Sequence, residues 1–192
     1  MNVDIGFVNR PCEGEIANGD SWTVDEYDGG ILICVVDGLG HGPAAEEASL
    51  AFTSLVRQDV TAPLLEIMAD AHKRLAPTRG AAAALLRLDV ARGRVEFTGV
   101  GNIHMHSIAD VKLQPVCAPG VVGHRLRKLL PFEFDLPRSA LIALCSDGIS
   151  SRLHLEDFLG LGAQEVADRI LAQHGKAHDD ATAVVIRFTE DE

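Results

Sequence analysis

At 192 residues, with 47% apolar and 23% charged residues, the chain is long enough for one sizeable core, and its ordinary globular composition excludes a disordered segment. Seventeen basic against 28 acidic residues leave a formal net charge of −11, which excludes a broad nucleic-acid or anionic-membrane surface, since both need phosphate neutralised by Lys and Arg. No run approaches the roughly 18 apolar residues of a membrane span, and the opening MNVDIGFVNR lacks the basic and apolar regions of a signal peptide, so one cytoplasmic domain over residues 1–192 is expected.

In chain order, Val3 to Val8 reads as a strand, and a polar connection containing Pro11, Gly14 and Gly19 leads to Asp20. Trp22 to Tyr27 and Ile31 to Val36 are predicted to pair as a hairpin through Asp28-Gly29-Gly30. The second of these strands, rich in β-branched residues, ends on Asp37 and a glycine turn, Gly38-Leu39-Gly40-His41-Gly42. A carboxylate at the exposed end of a core strand, beside backbone carbonyls opened by glycines, suits a hard cation; an ordinary turn aspartate is the plainer alternative.

From Pro43 the period changes. Ala44, Ala48, Ala51 and Leu55 mark a helical face running to about Val60, and Leu64, Ile67, Met68, Ala71 and Leu75 a second helix from about Pro63 to Leu75. Leu86 to Val90 alternates, and Ala91-Arg92-Gly93 turns it into Arg94 to Thr98, so a strand hairpin is expected here despite the alanines at 81–84. Gly99 to Asn102 breaks the run, and a further strand carries His104 and His106 on one face; they are a possible metal pair without a third ligand at supporting spacing. Leu113 to Leu136, interrupted by prolines and glycines, reads as short strands and turns, with a basic cluster at Arg125, Arg127 and Lys128 that is either a solvated face or a contact for an anionic or phosphorylated partner.

Ser139 to Cys145 is a second apolar strand, and it too ends on an acid, in Ser146-Asp147-Gly148. Helical segments are expected near Leu155 to Leu159 and Gln164 to His174, before Asp179-Asp180 opens a third apolar strand over Ala183 to Phe188. Cys12, Cys34, Cys117 and Cys145 form no C-x-x-C pair, which leaves no zinc knuckle or thioredoxin motif, and Cys34 and Cys145 read as small core residues. Three apolar strands thus carry an aspartate at one end, two after the strand and one before it, so antiparallel neighbours would gather the carboxylates at one rim. Crowded carboxylates repel unless cations neutralise them, and oxygen-only ligation favours Mg2+ or Mn2+.

Asn18-Gly19-Asp20, Asp37-Gly38-Leu39-Gly40-His41-Gly42, Arg79-Gly80-Ala81, Gly101-Asn102, Ser146-Asp147-Gly148 and Asp179-Asp180-Ala181-Thr182 follow one another in an order and spacing that resembles the bacterial PPM-type metal-dependent serine/threonine phosphatases, SpoIIE-like branch. The resemblance spans Asn18 to Phe188, and the short chain is most similar to the stressosome feedback phosphatases of that branch. It implies an α+β fold, a four-layer α-β-β-α sandwich with two antiparallel sheets and helices outside. It also implies two Mn2+ (or Mg2+) ions: Asp37 would bridge them, the Gly38 carbonyl, Asp147 and Asp179 would complete the metal set, and Asp20 would act on the attacking water or lie just behind it.

Four positions depart from the pattern of better-known relatives. Leu39 stands where their general-acid histidine follows the D-G pair, which leaves His41, two residues on, as the candidate leaving-group acid. Their phosphate-binding arginine has no secure counterpart, Glu15 lying near that spacing and Arg10 too early. Asn102 stands where relatives carry an aspartate for a third ion, and Asp180 stands where many carry asparagine. The implied activity is hydrolysis of phosphoserine or phosphothreonine by metal-activated water, with phosphorylated STAS-domain proteins of a stressosome as partners; the oligomeric state is not legible. A phosphoprotein-binding pseudophosphatase and a metal-dependent hydrolase of small phosphoesters are the alternatives.

Overall fold

The computed structural model describes residues 2–189, and its architecture is set by what each strand buries. Strand β3 (Gly30–Gly38) sends Ile31, Ile33 and Val35 to one side and Leu32, Cys34 and Val36 to the other. Both faces are apolar because both are covered, which is why the sequence shows an unbroken run rather than an alternation. Full burial of each Leu or Ile of this kind contributes about 1.5–3 kcal/mol.

Strands β2 (Asp20–Tyr27), β3, β4 (Ala81–Asp89), β5 (Arg94–Val100) and β7 (Phe132–Asp135) form one antiparallel sheet in the order β2-β3-β4-β5-β7. Strands β1 (Asn2–Arg10), β6 (His104–Ala109), β8 (Ser139–Cys145) and β9 (Ala181–Thr189) form the other, in the order β1-β9-β8-β6, again antiparallel throughout. Ile33, Val35 and Leu86 of the first sheet share a core with Ile142, Val184 and Ile186 of the second. Helices α1 (Pro43–Val56) and α2 (Leu64–Arg74) cover the outer face of the five-stranded sheet through Phe52, Val56 and Met68. Helix α3 (Ala163–His174) covers the four-stranded sheet through Val166 and Ile170, joined by Phe158 of a short 3-10 turn, Leu155–Phe158. The result is the expected four-layer α+β sandwich.

Several boundaries differ from the sequence reading. Helix α1 stops at Val56, four residues early, because Arg57 to Val60 turn away to bring the Val60 carbonyl onto the buried Arg87 guanidinium, Nη2 to O 2.9 Å. Strand β4 begins at Ala81, so the four alanines are strand: sheet neighbours on both sides and cover on both faces outweigh their helix propensity. The stretch 113–136 yields the single strand β7; the rest is held by isolated bridges, Ala81 with Val122 and Val100 with Ala118.

Candidate metal centre

Asp20 opens β2 and pairs directly with Asp37 at the far end of β3. Asp147 lies two residues past the end of β8, and Asp179 two residues before β9 begins. Since β8 and β9 are antiparallel neighbours, the end of one and the start of the other share an edge of their sheet. The three apolar strands are not all neighbours, contrary to the expectation: β3 belongs to the opposite sheet, so the charges of Asp147 and Asp179 act on Asp37 from the other sheet. Asn102, just after β5, bridges the gap, donating through Nδ2 to Asp147 Oδ2 at 2.6 Å and to Asp37 Oδ2 at 3.2 Å.

Glycines make this approach possible. A Cβ on Gly38 would lie 2.1 Å from the carbonyl oxygen of Ala45, and one on Gly148 1.8 Å from that of Asp180. The first glycine lets α1 press against the end of β3; the second lets the β8 turn close onto the entry to β9.

Asp20 is buried and held by Ser146, whose Oγ donates to Asp20 Oδ2 at 2.5 Å and accepts the Thr182 N–H at 3.0 Å. Burial pushes the Asp20 carboxyl up to about 7, with the hydrogen bonds from Ser146 and Thr182 opposing and the charges of Asp180 and Asp179 adding to the rise. Burial likewise raises Asp37 to about 8, reinforced by the charges of Asp20, Asp147 and Asp179 and opposed by Asn102. Asp179 is raised by burial first and then by Asp147. The four carboxylates therefore act on one another electrostatically, and their charge is under-compensated.

Two cations beside the acids, Lys176 and Arg10, grip the backbone. Lys176 Nζ donates to the Asp147 carbonyl, and Arg10 Nη2 donates to the carbonyls of Lys176 and Asp179. Asp180 is buried with Oδ1 accepting from the Cys12 amide at 2.8 Å, while its Oδ2 has no hydrogen-bond partner. Among the described residues no three His, Cys, Asp or Glu side chains stand in a ready ligating group; the Asn102 amide lies between two of the acids. The donor set is nonetheless carboxylate and carbonyl oxygen carrying excess negative charge, which fits hard divalent cations such as Mg2+ or Mn2+.

The structure thus brings Asp20, Asp37, Gly38, Asp147 and Asp179 to one rim. His41 makes no hydrogen bond to these acids among the described residues: it is exposed on the glycine turn that follows Asp37, with Nδ1 3.0 Å from Glu15 Oε1. His104 and His106 lie on β6 and join no ligating group among the described residues. Ser146, Lys176 and the backbone clamp of Arg10 were not foreseen. Ser146 carried one signal, a hydroxyl at the end of an apolar strand directly before an Asp-Gly turn; Lys176 carried none.

The family model described as stage II sporulation protein E (SpoIIE) matches residues 27–189. The phosphoserine phosphatase RsbX of Bacillus subtilis (strain 168) is 24% identical over 178 residues, which cover 90% of this chain and 88% of RsbX. The structure of RsbX in complex with magnesium superposes with a TM-score of 0.88 at 20% identity, over 97% of this chain and 96% of that one. A chain from a study of the bacterial stressosome, as a modular system adapted to control secondary messenger signalling, gives a TM-score of 0.92 at 32% identity over 97% of this chain and all of that one. The catalytic domain of the serine/threonine phosphatase PstP, in complex with two manganese ions, gives 0.73 at 18% identity over 98% of this chain and 100% of that one.

Proposed function

Because the chain belongs to the SpoIIE family, whose fold is that of the PP2C-type phosphatases, we propose that it is a metal-dependent protein phosphatase that hydrolyses phosphoserine or phosphothreonine in the cytoplasm with two Mn2+ or Mg2+ ions. The observation that supports this reading is the placement of Asp20, Asp37, Asp147 and Asp179, from both sheets, at one rim, where Asn102 links Asp37 to Asp147 and neighbouring carboxylates raise Asp37 and Asp179. Asp37, the Gly38 carbonyl, Asp147 and Asp179 are the residues that would hold the ions. When bound, such ions polarise a phosphoryl oxygen, neutralise developing charge and activate water, which supplies most of the acceleration that a phosphate monoester demands.

The chain's own groups have separable tasks in this proposal. Asp37, joined to Asp147 through the Asn102 amide, couples the halves of the site. Asp20, fixed by Ser146 and paired with Asp37 across the β2–β3 ladder, orients the attacking water and takes up its proton. His41 donates the proton that the leaving serine or threonine oxygen needs, its ring oriented through Nδ1 by Glu15. Arg10 and Lys176 hold the backbone around Asp147 and Asp179, so that the carboxylates keep their positions when charge changes.

The kinship with RsbX and with a stressosome chain supports phosphorylated STAS-domain scaffold proteins of a stressosome as the substrates, in a feedback that ends a stress signal. The test is to incubate the protein with candidate phosphorylated scaffolds and Mn2+ and follow intact mass. Loss of 80 Da per phosphoryl group, roughly the mass of HPO3, is the expected outcome; unchanged mass on every scaffold would remove the substrate assignment.

A further inference from the structure

The basic cluster singled out in the sequence is not an isolated solvated run, because its first member, Arg125, closes a turn that is tied to the strand ends beside the carboxylate rim. The segment 118–125 laces the ends of two rim strands together. Ala81 and Val122 exchange backbone hydrogen bonds at 3.0 and 2.8 Å, Gly101 N donates to Ala118 O at 2.9 Å, and Ala118 N donates to Gly99 O at 2.8 Å. Its tight turn, closed by Val121 and Arg125, lays the His124 ring against Gly80, with His124 Nε2 3.0 Å from the Thr78 carbonyl.

Two neighbours of the site are fixed in this way. Gly101 precedes Asn102, which touches Asp37 and Asp147. Gly80 accepts the Leu39 N–H of the glycine turn at 3.0 Å, and the guanidinium of Arg79 comes within 3.0 Å of where a Cβ on Gly40 would stand. Arg79, His124, Arg125, Arg127 and Lys128 are all exposed, and among the described residues none of these four Arg and Lys side chains is in an ion pair. Leu126 and Leu129 pack on the helix-covered core, so the strip is anchored rather than free.

We propose that this cationic wall, Arg79 with the 124–128 strip, is the docking surface for the protein substrate, and that it takes an acidic surface flanking the phosphorylated residue. This rests on the phosphatase reading and adds the recognition element that the reading lacks. A chain of net charge −11 with carboxylates at its catalytic rim repels an anionic phosphoprotein, and exposed cations near that rim supply a local attraction that orients the approach. A substrate with basic residues around its phosphoserine is disfavoured by the same wall.

Two phosphoserine peptides of equal length, one flanked by Asp and Glu and one by Ser and Ala, and p-nitrophenyl phosphate test this, in Mn2+. The comparison is between the wild-type chain and Arg125→Glu/Arg127→Glu/Lys128→Glu, with the single variant Lys128→Glu as a milder perturbation and thermal melting as the control for folding. Expected is a roughly tenfold higher kcat/KM for the acidic peptide at low salt, carried by KM, that fades at high salt and is lost or inverted in the triple variant. The kcat for p-nitrophenyl phosphate, read at saturating substrate, stays unchanged in every variant. Equal turnover of the two peptides by the wild type overturns the docking proposal while leaving the phosphatase reading intact, as does a parallel loss on p-nitrophenyl phosphate. No turnover of any of the three by the wild type removes the phosphatase reading and the proposal with it.

Discussion

Asn102 Nδ2 lies 2.6 Å from Asp147 Oδ2, and the same amide reaches Asp37 Oδ2, so one neutral side chain joins acids from opposite sheets. It occupies the role of a donor between like charges. Asn102→Ala leaves two carboxylates facing each other without it and is expected to destabilise the metal-free protein by about 1–3 kcal/mol. Added Mg2+ then raises the melting temperature more in the variant than in the wild type. Asn102→Asp adds a further carboxylate and is expected to bind Mn2+ more tightly by isothermal titration calorimetry.

The pH dependence follows from the same crowding. The folded-state carboxyls of Asp37 and Asp20 sit near 8 and 7, above the 3.8 of an ordinary aspartate, so between those limits the native state holds more protons than the unfolded chain. Stability from these groups is therefore full below about pH 4 and is lost as pH rises through 7 and 8. Urea melts of metal-free wild type and Asp37→Asn are expected to diverge across that window, the wild type falling more steeply. Saturating Mg2+ is expected to flatten the difference.

Asp20→Asn separates stability from catalysis. Removing a buried, partly repelled carboxylate stabilises the metal-free protein, whereas kcat falls by about 10² to 10⁴ if Asp20 takes up the proton from water. Ser146→Ala leaves the Asp20 carboxylate without its 2.5 Å donor and is expected to lower both quantities. Denaturant melts alongside single-substrate kinetics distinguish the pair.

Leaving-group chemistry isolates His41. An alkoxide needs a proton as it departs and p-nitrophenolate does not, so His41→Asn is expected to slow phosphoserine hydrolysis by about 10²-fold while sparing p-nitrophenyl phosphate. Glu15→Gln, which alters the group orienting Nδ1, produces the same pattern at smaller amplitude.

Close packing at the glycines gives a prediction that owes nothing to metals. Gly38→Ala forces a methyl group against the Ala45 carbonyl, and the cost is expected at the upper end of overpacking effects, about 3 kcal/mol, seen as a lower urea midpoint.

Much of this arrangement was legible because its signals are local. The apolar run of β3 ending on Asp37, and the matching runs of β8 and β9, announced buried strands with acids at one end, and the order of the motifs carried the family and the fold. The rest depended on partners distant in sequence. Asn102 meets Asp37 and Asp147 at separations of 65 and 45 residues, and Ser146 meets Asp20 at 126, distances over which a sequence has no register. The alanines of β4 were ambiguous because their strand character comes from neighbouring strands, and the 118–125 segment was opaque because bridges to β4 and β5, rather than any periodicity, hold it. His41 could be placed on its turn, but its orientation comes from Glu15, 26 residues earlier.

The most direct test of the central claim is the number of Mn2+ ions bound per chain, measured by calorimetric titration of the metal-free protein and of Asp37→Ala, with folding checked by circular dichroism. Two ions are expected for the wild type, with loss of at least one high-affinity site in the variant. Wild-type protein that binds no Mn2+, or an Asp37→Ala variant that binds it as the wild type does, would contradict that claim.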